Sequence, residues 1–244
     1  MHMISLKDRV AVVTGSSSGM GAAIARALAA KGMPTVLAAR RPDKLQAVAD
    51  DIAQAGGTAI AVATDVTVEA EVEALFRTAV ARFGQVDLLV NSAGVPQATP
   101  TEEMSLAEWR TVLDANLTSA FLCAREALKL MKPQKRGRII SIGSVASQSP
   151  RPNAVAYVAA KYGLDGLTRA LALEGRDHGI AVSVLHPGFT VTGFGPGADG
   201  GVGRNAMDPR DIAEIVVLMA SLPDEQNMLE ALTLPLGMPF LGRG

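Results

Sequence analysis

Residues 9–21 read Arg9-Val10-Ala11-Val12-Val13-Thr14-Gly15-Ser16-Ser17-Ser18-Gly19-Met20-Gly21, and Ala22-Ala23-Ile24-Ala25-Arg26-Ala27-Leu28 follow. An apolar, β-branched run thus passes through three glycines into a segment with helical spacing. Glycines in such a turn let the backbone approach a pyrophosphate, which the unpaired N–H groups and dipole of the helix start attract. The spacing is not the widespread G-x-G-x-x-G, so taken alone the turn is also compatible with a structural glycine bend.

The same alternation repeats along the chain. Strands are expected near 9–14, 34–39, 58–63, 86–91, 137–143, 180–186 and 229–234, with six helices between them. Strands alternating with helices specify a parallel sheet, and right-handed crossovers should wind the helices onto both of its faces. The fold class expected is therefore α/β, a doubly wound parallel sheet of about seven strands. Gly32, Gly56-Gly57, Gly84 and Gly137 stand where helices should stop. One domain fits residues 1–244. From Pro187 to about residue 208 apolar periodicity fails, and Gly and Pro are dense as far as Gly203. This segment reads as a substrate lid or, alternatively, as a surface excursion.

Composition excludes several function classes. The chain has 244 residues, 48% of them hydrophobic, enough for a sizeable core. Twenty-three basic residues nearly balance 24 acidic ones, so no strong field is present to gather nucleic acid or an anionic membrane. A single cysteine, Cys123, and three histidines do not suggest a disulfide framework or a metal cage. No basic stretch precedes an apolar core at the N-terminus, and no run of about eighteen apolar residues occurs. The expectation is a cytoplasmic protein without bound metal.

The second strand ends Ala38-Ala39-Arg40-Arg41, where a site for NAD would usually place a carboxylate on the ribose 2′-hydroxyl. Arg40, with Arg41, can pair with a 2′-phosphate through planar guanidinium donors, which favours NADP(H) over NAD(H). Solvated surface arginines are the plainer reading of the same pair.

With these residues in view, the chain resembles the short-chain dehydrogenase/reductase family from residue 7 to about 220, which implies a Rossmann-like fold. Thr14 to Gly21, with Gly15, Ser17, Ser18, Gly19, Met20 and Gly21, looks like the family's T-G-x-x-x-G-x-G coenzyme turn. Asp65 and the adjoining Val66 match the position expected near the adenine. Asn91-Ser92-Ala93-Gly94 matches N-N-A-G with Ser92 in place of the second asparagine, which assigns Asn91, Ala93 and Gly94 to the coenzyme. Asn116, Ser144, Tyr157 and Lys161 match the family's catalytic asparagine, serine and Y-x-x-x-K pair. Pro187-Gly188, Thr190 and Thr192 resemble the segment beside the nicotinamide carboxamide. The resemblance further implies that Tyr157 and Lys161 touch the coenzyme, that Lys161 binds the nicotinamide ribose, and that Asn116 relays protons to it through water.

Hydride addition to a carbonyl leaves an alkoxide that needs a proton and charge stabilisation. Residues four apart share a helix face, so Lys161 should lie beside Tyr157 and its ammonium should lower the phenol pKa from about 10. Ser144 follows an apolar strand and should emerge where open α/β sheets bind ligands, although a serine there commonly only turns the chain. Asn116, a poor residue inside a helix, suggests a kink or a bound water within the helical stretch from Leu106 to Met131, or simply a surface position. Asp65 could cap a helix, Asn91 could end a strand, and Thr192 could be any loop threonine. Cys123, Trp109 and His186 read as packing residues. The pocket positions Val145, Gln148, Ser149, Asn153, Phe189 and Phe194 are neutral, which suits a small uncharged ketone or secondary alcohol.

The resemblance weakens after residue 220, where Leu232 to Phe240 replaces the family's tail, so a tetramer contact through that tail is in question. A homodimer through the helices bearing Asn116 and Tyr157 is implied, with a homotetramer as the larger possibility. A non-catalytic NADP(H) sensor and an epimerase or dehydratase are the competing functions.

Overall fold

A computed structural model describes residues 3–192 and 205–238. Among them is one seven-stranded sheet, entirely parallel, in the order β3-β2-β1-β4-β5-β6-β7. The strands are β1 Ala11–Thr14, β2 Thr35–Ala39, β3 Ala59–Ala63, β4 Leu88–Asn91, β5 Gly137–Ile142, β6 Ile180–Pro187 and β7 Glu230–Thr233. All seven lie where the hydrophobic pattern places them. The central strands are buried along their length, because helices cover both faces.

The helices are α1 Gly19–Ala30, α2 Pro42–Gln54, α3 Glu69–Phe83, α4 Leu106–Leu113, α5 Ser119–Gln134, α6 Val155–Arg176 and α7 Pro209–Ala220. The expected stretch from Leu106 to Met131 is continuous, but a π-helical turn at Asp114–Thr118 divides it into α4 and α5. Six helical connections therefore contain seven α-helices. Gly84 ends α3 in the left-handed region, whereas α5 ends on Lys135 in that conformation, two residues before the glycine expected to stop it.

Two apolar layers flank the sheet. One joins α1, α2 and α7 through residues such as Ile24, Leu28, Leu45, Ile52 and Ile212. The other joins α3 and α5 through Val72, Leu75, Cys123 and Met131, with Leu171 and Ala172 of α6 against it. This placement corrects one expectation. The β5–α6–β6 and β6–α7–β7 connections move the same way along the sheet, yet α7 packs beside α1 on the face opposite α6. The last crossover consequently has the opposite hand from the one before it, against the strong general preference for one hand. The path after β6 accounts for this. Thr192 lies against α1, since a Cβ on Gly19 would come within 3.2 Å of its side chain. The chain has therefore crossed the C-terminal edge of the sheet to the face of α1 before α7 begins.

Of the expected lid, residues 193–204 lie outside the described residues, as does the pocket position Phe194. Its flanks are paired: the Val191 N–H donates to the Met207 carbonyl at 3.0 Å and the Met207 N–H to that of Phe189 at 2.9 Å. Asp208 and Asp211 then form a reciprocal cap, with Pro209 at the first helical position of α7.

Candidate active site

The strand order reverses between β1 and β4, the place where open α/β sheets leave a crevice for ligands. The glycine turn occupies it. Gly15 has φ +67° and so close a neighbour that an added Cβ would lie 2.8 Å from the Ala93 Cα. Only glycine satisfies both constraints. Thr14 ties the two strand ends together, its hydroxyl accepting from the N–H groups of Ser92 at 3.1 Å and Ala93 at 3.2 Å. Gly94 faces Asn116, whose Oδ1 would be 2.6 Å from a Cβ placed there. No side chain caps the start of α1, so its N-terminal N–H groups remain available to an anion. Beside the turn opens a cleft of about 370 Å³ bordered by Ser17, Ser18, Gly19, Thr192 and Arg210. Met20 is half-buried and Gly21 buried at the start of α1.

The two arginines after β2 behave differently. Arg41 reaches back to the turn and donates to the hydroxyls of Ser17 at 3.1 Å and Ser18 at 3.2 Å. Arg40 acts on Asp65. Burial pushes that carboxyl up, but hydrogen bonds from Thr67 and the Arg40 charge outweigh it and hold the pKa below the usual value. Asp65 does not cap the helix that follows, since Val68 stands at the start of α3 without a side-chain cap; it accepts instead from the Thr67 N–H at 3.0 Å in the turn before it, next to the buried Val66. Asn91 ends β4, buried, with its Oδ1 unpartnered among the described residues.

The catalytic candidates converge at the C-terminal ends of β4 and β5. Asn116, 2% exposed, sits in the π-helical turn and donates to the carbonyls of Val95 at 3.0 Å and Val112 at 2.9 Å. Its Oδ1 has no partner among the described residues. The distortion anticipated at this asparagine is present, and α6 packs tightly on it where Gly163 admits Leu117. Ser144 follows β5 and accepts from the Ala146 N–H at 3.1 Å, so it caps a short 3₁₀ turn as well as facing the phenol of Tyr157.

Tyr157 and Lys161 lie one turn apart in α6, with Lys161 Nζ 5.5 Å from the Tyr157 ring centroid. Lys161 is 5% exposed and donates to the Ile142 carbonyl at 2.9 Å. Burial pulls its pKa down to about 8. Burial also pushes the Tyr157 phenol up, and the Ser144 hydroxyl and the Arg151 charge offset this only in part. The expected depression of the tyrosine by its lysine is therefore not found. Desolvation dominates at the phenol, and the Lys161 ammonium is turned to a backbone carbonyl.

Pro187 ends β6, and Gly188 packs under Pro235 and Met238 of the C-terminal segment. The Thr190 hydroxyl donates to the Gly188 carbonyl at 3.1 Å. Of the pocket positions, Val145 is buried and Ser149 and Phe189 are half-buried, while Asn153 is exposed with φ +57°. Gln148 points elsewhere and donates to Glu230 at 2.6 Å. Three contributors lacked a sequence signal. Arg151 lies close enough to bias the phenol. Gln97 is buried and bridges the carbonyls of Thr99 at 2.9 Å and Asn153 at 3.0 Å. His186, read as packing, touches Ser144.

Comparison with known proteins agrees with this arrangement. The family described as short chain dehydrogenase matches residues 9–199. The chain is 43% identical over 191 residues to a 3-oxoacyl-[acyl-carrier-protein] reductase of Synechocystis, covering 78% of this chain and 77% of that protein. It is 44% identical over 186 residues to 3beta-hydroxysteroid dehydrogenase 1 of Eggerthella lenta, covering 75% and 71%. Among solved structures, a metagenomic short-chain oxidoreductase in complex with NADP superposes with TM-score 0.85 at 39% identity, covering 95% and 98%. An alcohol dehydrogenase from Thermococcus sibiricus, complexed with 5-hydroxy-NADP, superposes with TM-score 0.88 at 30% identity, covering 94% and 97%. With the glycine turn at the sheet reversal and the serine, tyrosine and lysine gathered beside it, these matches establish that the chain belongs to the short-chain dehydrogenase/reductase family of oxidoreductases.

Proposed function

We propose that the protein is an NADP(H)-dependent oxidoreductase, a single domain from residue 1 to 244, acting on a small, uncharged carbonyl or secondary alcohol in the cytoplasm. One observation carries this reading: Asn116, Ser144, Tyr157 and Lys161 meet at the same sheet edge that holds the glycine turn.

The residues present fit the coenzyme. Gly15 and the uncapped start of α1 leave backbone close to where a pyrophosphate would lie. Arg41, anchored on Ser17 and Ser18, offers a guanidinium to a 2′-phosphate, with Arg40 beside it and no carboxylate at the strand end. The NADP and 5-hydroxy-NADP in two similar structures support the preference. Asp65, Val66, Asn91, Ala93, Pro187, Gly188, Thr190 and Thr192 would border the remainder. When bound, the nicotinamide supplies or accepts the hydride.

The side chains divide the remaining work. Ser144 holds the substrate oxygen, and Tyr157 gives it a proton during reduction or takes one during oxidation. The raised phenol pKa keeps this proton in place near neutrality. Lys161 binds ribose hydroxyls and steadies the phenolate formed after transfer. The open Oδ1 of Asn116 suits a water that returns a proton to Lys161. The 3-oxoacyl-[acyl-carrier-protein] reductase and the 3beta-hydroxysteroid dehydrogenase among the relatives are named for an oxo and a hydroxyl group, which supports chemistry at a carbonyl or alcohol.

A panel of ketones, aldehydes and secondary alcohols, followed at the nicotinamide absorbance with both coenzymes, tests the proposal. Turnover faster with NADPH than with NADH, and reduced at least a hundredfold in Tyr157→Phe, is the expected result. Full turnover in that variant would remove Tyr157 from the chemistry. We also propose a dimer through α4, α5 and α6, where Leu106, Phe121, Val155, Tyr162 and Leu173 are exposed large apolar or aromatic residues.

A further inference from the structure

His186 is the penultimate residue of β6, at 0% exposure, and nothing in the proposed chemistry uses it. Its imidazole is pressed against Gly143, where a Cβ would lie 2.6 Å from Nδ1, so a bare α-carbon makes room for the ring. The Ser144 N–H points at Nδ1 from 3.2 Å, and the Ser147 hydroxyl is also 3.2 Å away. On the other side of the ring, Nε2 faces Asp165 of α6 at 3.1 Å and Glu230 of β7 at 3.7 Å. Glu230 is already engaged, accepting from Gln148 and from Arg169. The Asp165 Oδ1 and His186 Nε2 have no other partner among the described residues, and their contact lies off the line of a formed hydrogen bond.

These neighbours select the tautomer. Ionised carboxylates only accept, so a ring nitrogen buried against two of them is satisfied only as N–H. Nδ1 then carries the lone pair, and the Ser144 N–H is the donor aimed at it. The opposite tautomer would let Nδ1–H reach the Ser144 carbonyl at 3.1 Å, but it would bury an Nε2 lone pair against negative charge.

We infer that His186 is a positioning residue for the reaction: Asp165 holds it in the Nε2–H form, and Nδ1 in turn fixes the Ser144 peptide and the direction of its hydroxyl. The Asp165–His186–Ser144 line joins α6, which carries Tyr157 and Lys161, to the loop that carries the serine. Substrate oxygen is thereby held in register with the proton donor. The kinetic part of this inference rests on the reductase reading; the tautomer does not.

Two substitutions separate a hydrogen-bonding role from packing. Phenylalanine keeps the volume and loses the acceptor, whereas asparagine loses volume and keeps an oxygen near the place of Nδ1. His186→Phe is expected to lower kcat by on the order of tenfold to a hundredfold with the KM for NADPH unchanged. His186→Asn should retain kcat within about threefold, and Asp165→Leu should fall between them. A residue that only fills space reverses the order, and phenylalanine outperforming asparagine would overturn the inference.

Ring-nitrogen NMR of the intact protein gives a reading independent of catalysis. The chain has three histidines, and His186→Asn identifies the signal. A protonated Nε2 with a bare Nδ1 is expected, giving way to mixed tautomers in Asp165→Leu; Nδ1–H in the parent protein would overturn the assignment. A parent protein without turnover on any carbonyl would defeat the reductase reading and leave the ring nitrogens to decide this one.

Discussion

Lys161 carries the largest electrostatic penalty tied to function. Its pKa of about 8, against the usual 10.5, corresponds to about 3 kcal/mol held against the folded chain at neutral pH. Between pH of about 8 and 10.5 the unfolded chain keeps a proton on this amine that the folded chain has lost, so stability rises with pH across that window. Below about 8 both states are protonated and the penalty is complete. Lys161→Met should therefore stabilise the coenzyme-free protein at pH 7, by at most about 3 kcal/mol less the lost bond to the Ile142 carbonyl. The gain should shrink toward pH 10 in denaturant titrations, while turnover is lost. An equal gain at pH 7 and pH 10 would mean that charge burial is not its source. The Tyr157–Lys161 spacing was legible in the sequence because four residues make one helical turn. The direction of the tyrosine shift was not, because desolvation depends on everything packed around the phenol.

Among the elements, the turn between β1 and α1 shows how a local motif is completed from elsewhere. The glycines announce the bend, but the guanidinium laid across it comes from Arg41, 24 residues beyond Ser17. The sequence offered two adjacent arginines, with Arg40 the first choice, and the turn from β2 into α2, where Arg41 stands at the helix start, places them differently. Arg41→Ala is expected to raise the KM for NADPH by about tenfold, equivalent to about 1.4 kcal/mol, with little effect on the KM for NADH. Equal effects on both coenzymes would show that Arg41 supports the turn without reading a 2′-phosphate. The π-helical turn at Asp114–Thr118 was foreshadowed in the same partial way. Asparagine signalled a defect in a helix, but its shape follows from Asn116 bonding to Val95 and Val112 at once.

For the assembled protein, the face built by α4, α5 and α6 leaves Leu173 64% exposed and Phe121 44% exposed, opposite the layer containing α7. Phe121→Glu should convert a dimer to a monomer in light scattering, whereas a dimer unaffected by this change would place the contact elsewhere. No helix among the described residues is long and apolar enough to cross a membrane. The C-terminal segment packs Pro235 and Met238 against Gly188 beside the site. Seven strands, six helical connections and the sheet class were readable from the order of residues, since hydrophobic period and turn chemistry act over a few positions. The hand of the last crossover, the arginine that meets the phosphate turn and the bonding of His186 to a serine 42 positions away were set by packing. Those properties depend on which distant atoms meet once water is excluded, and a linear pattern of apolar and polar residues carries no record of such meetings.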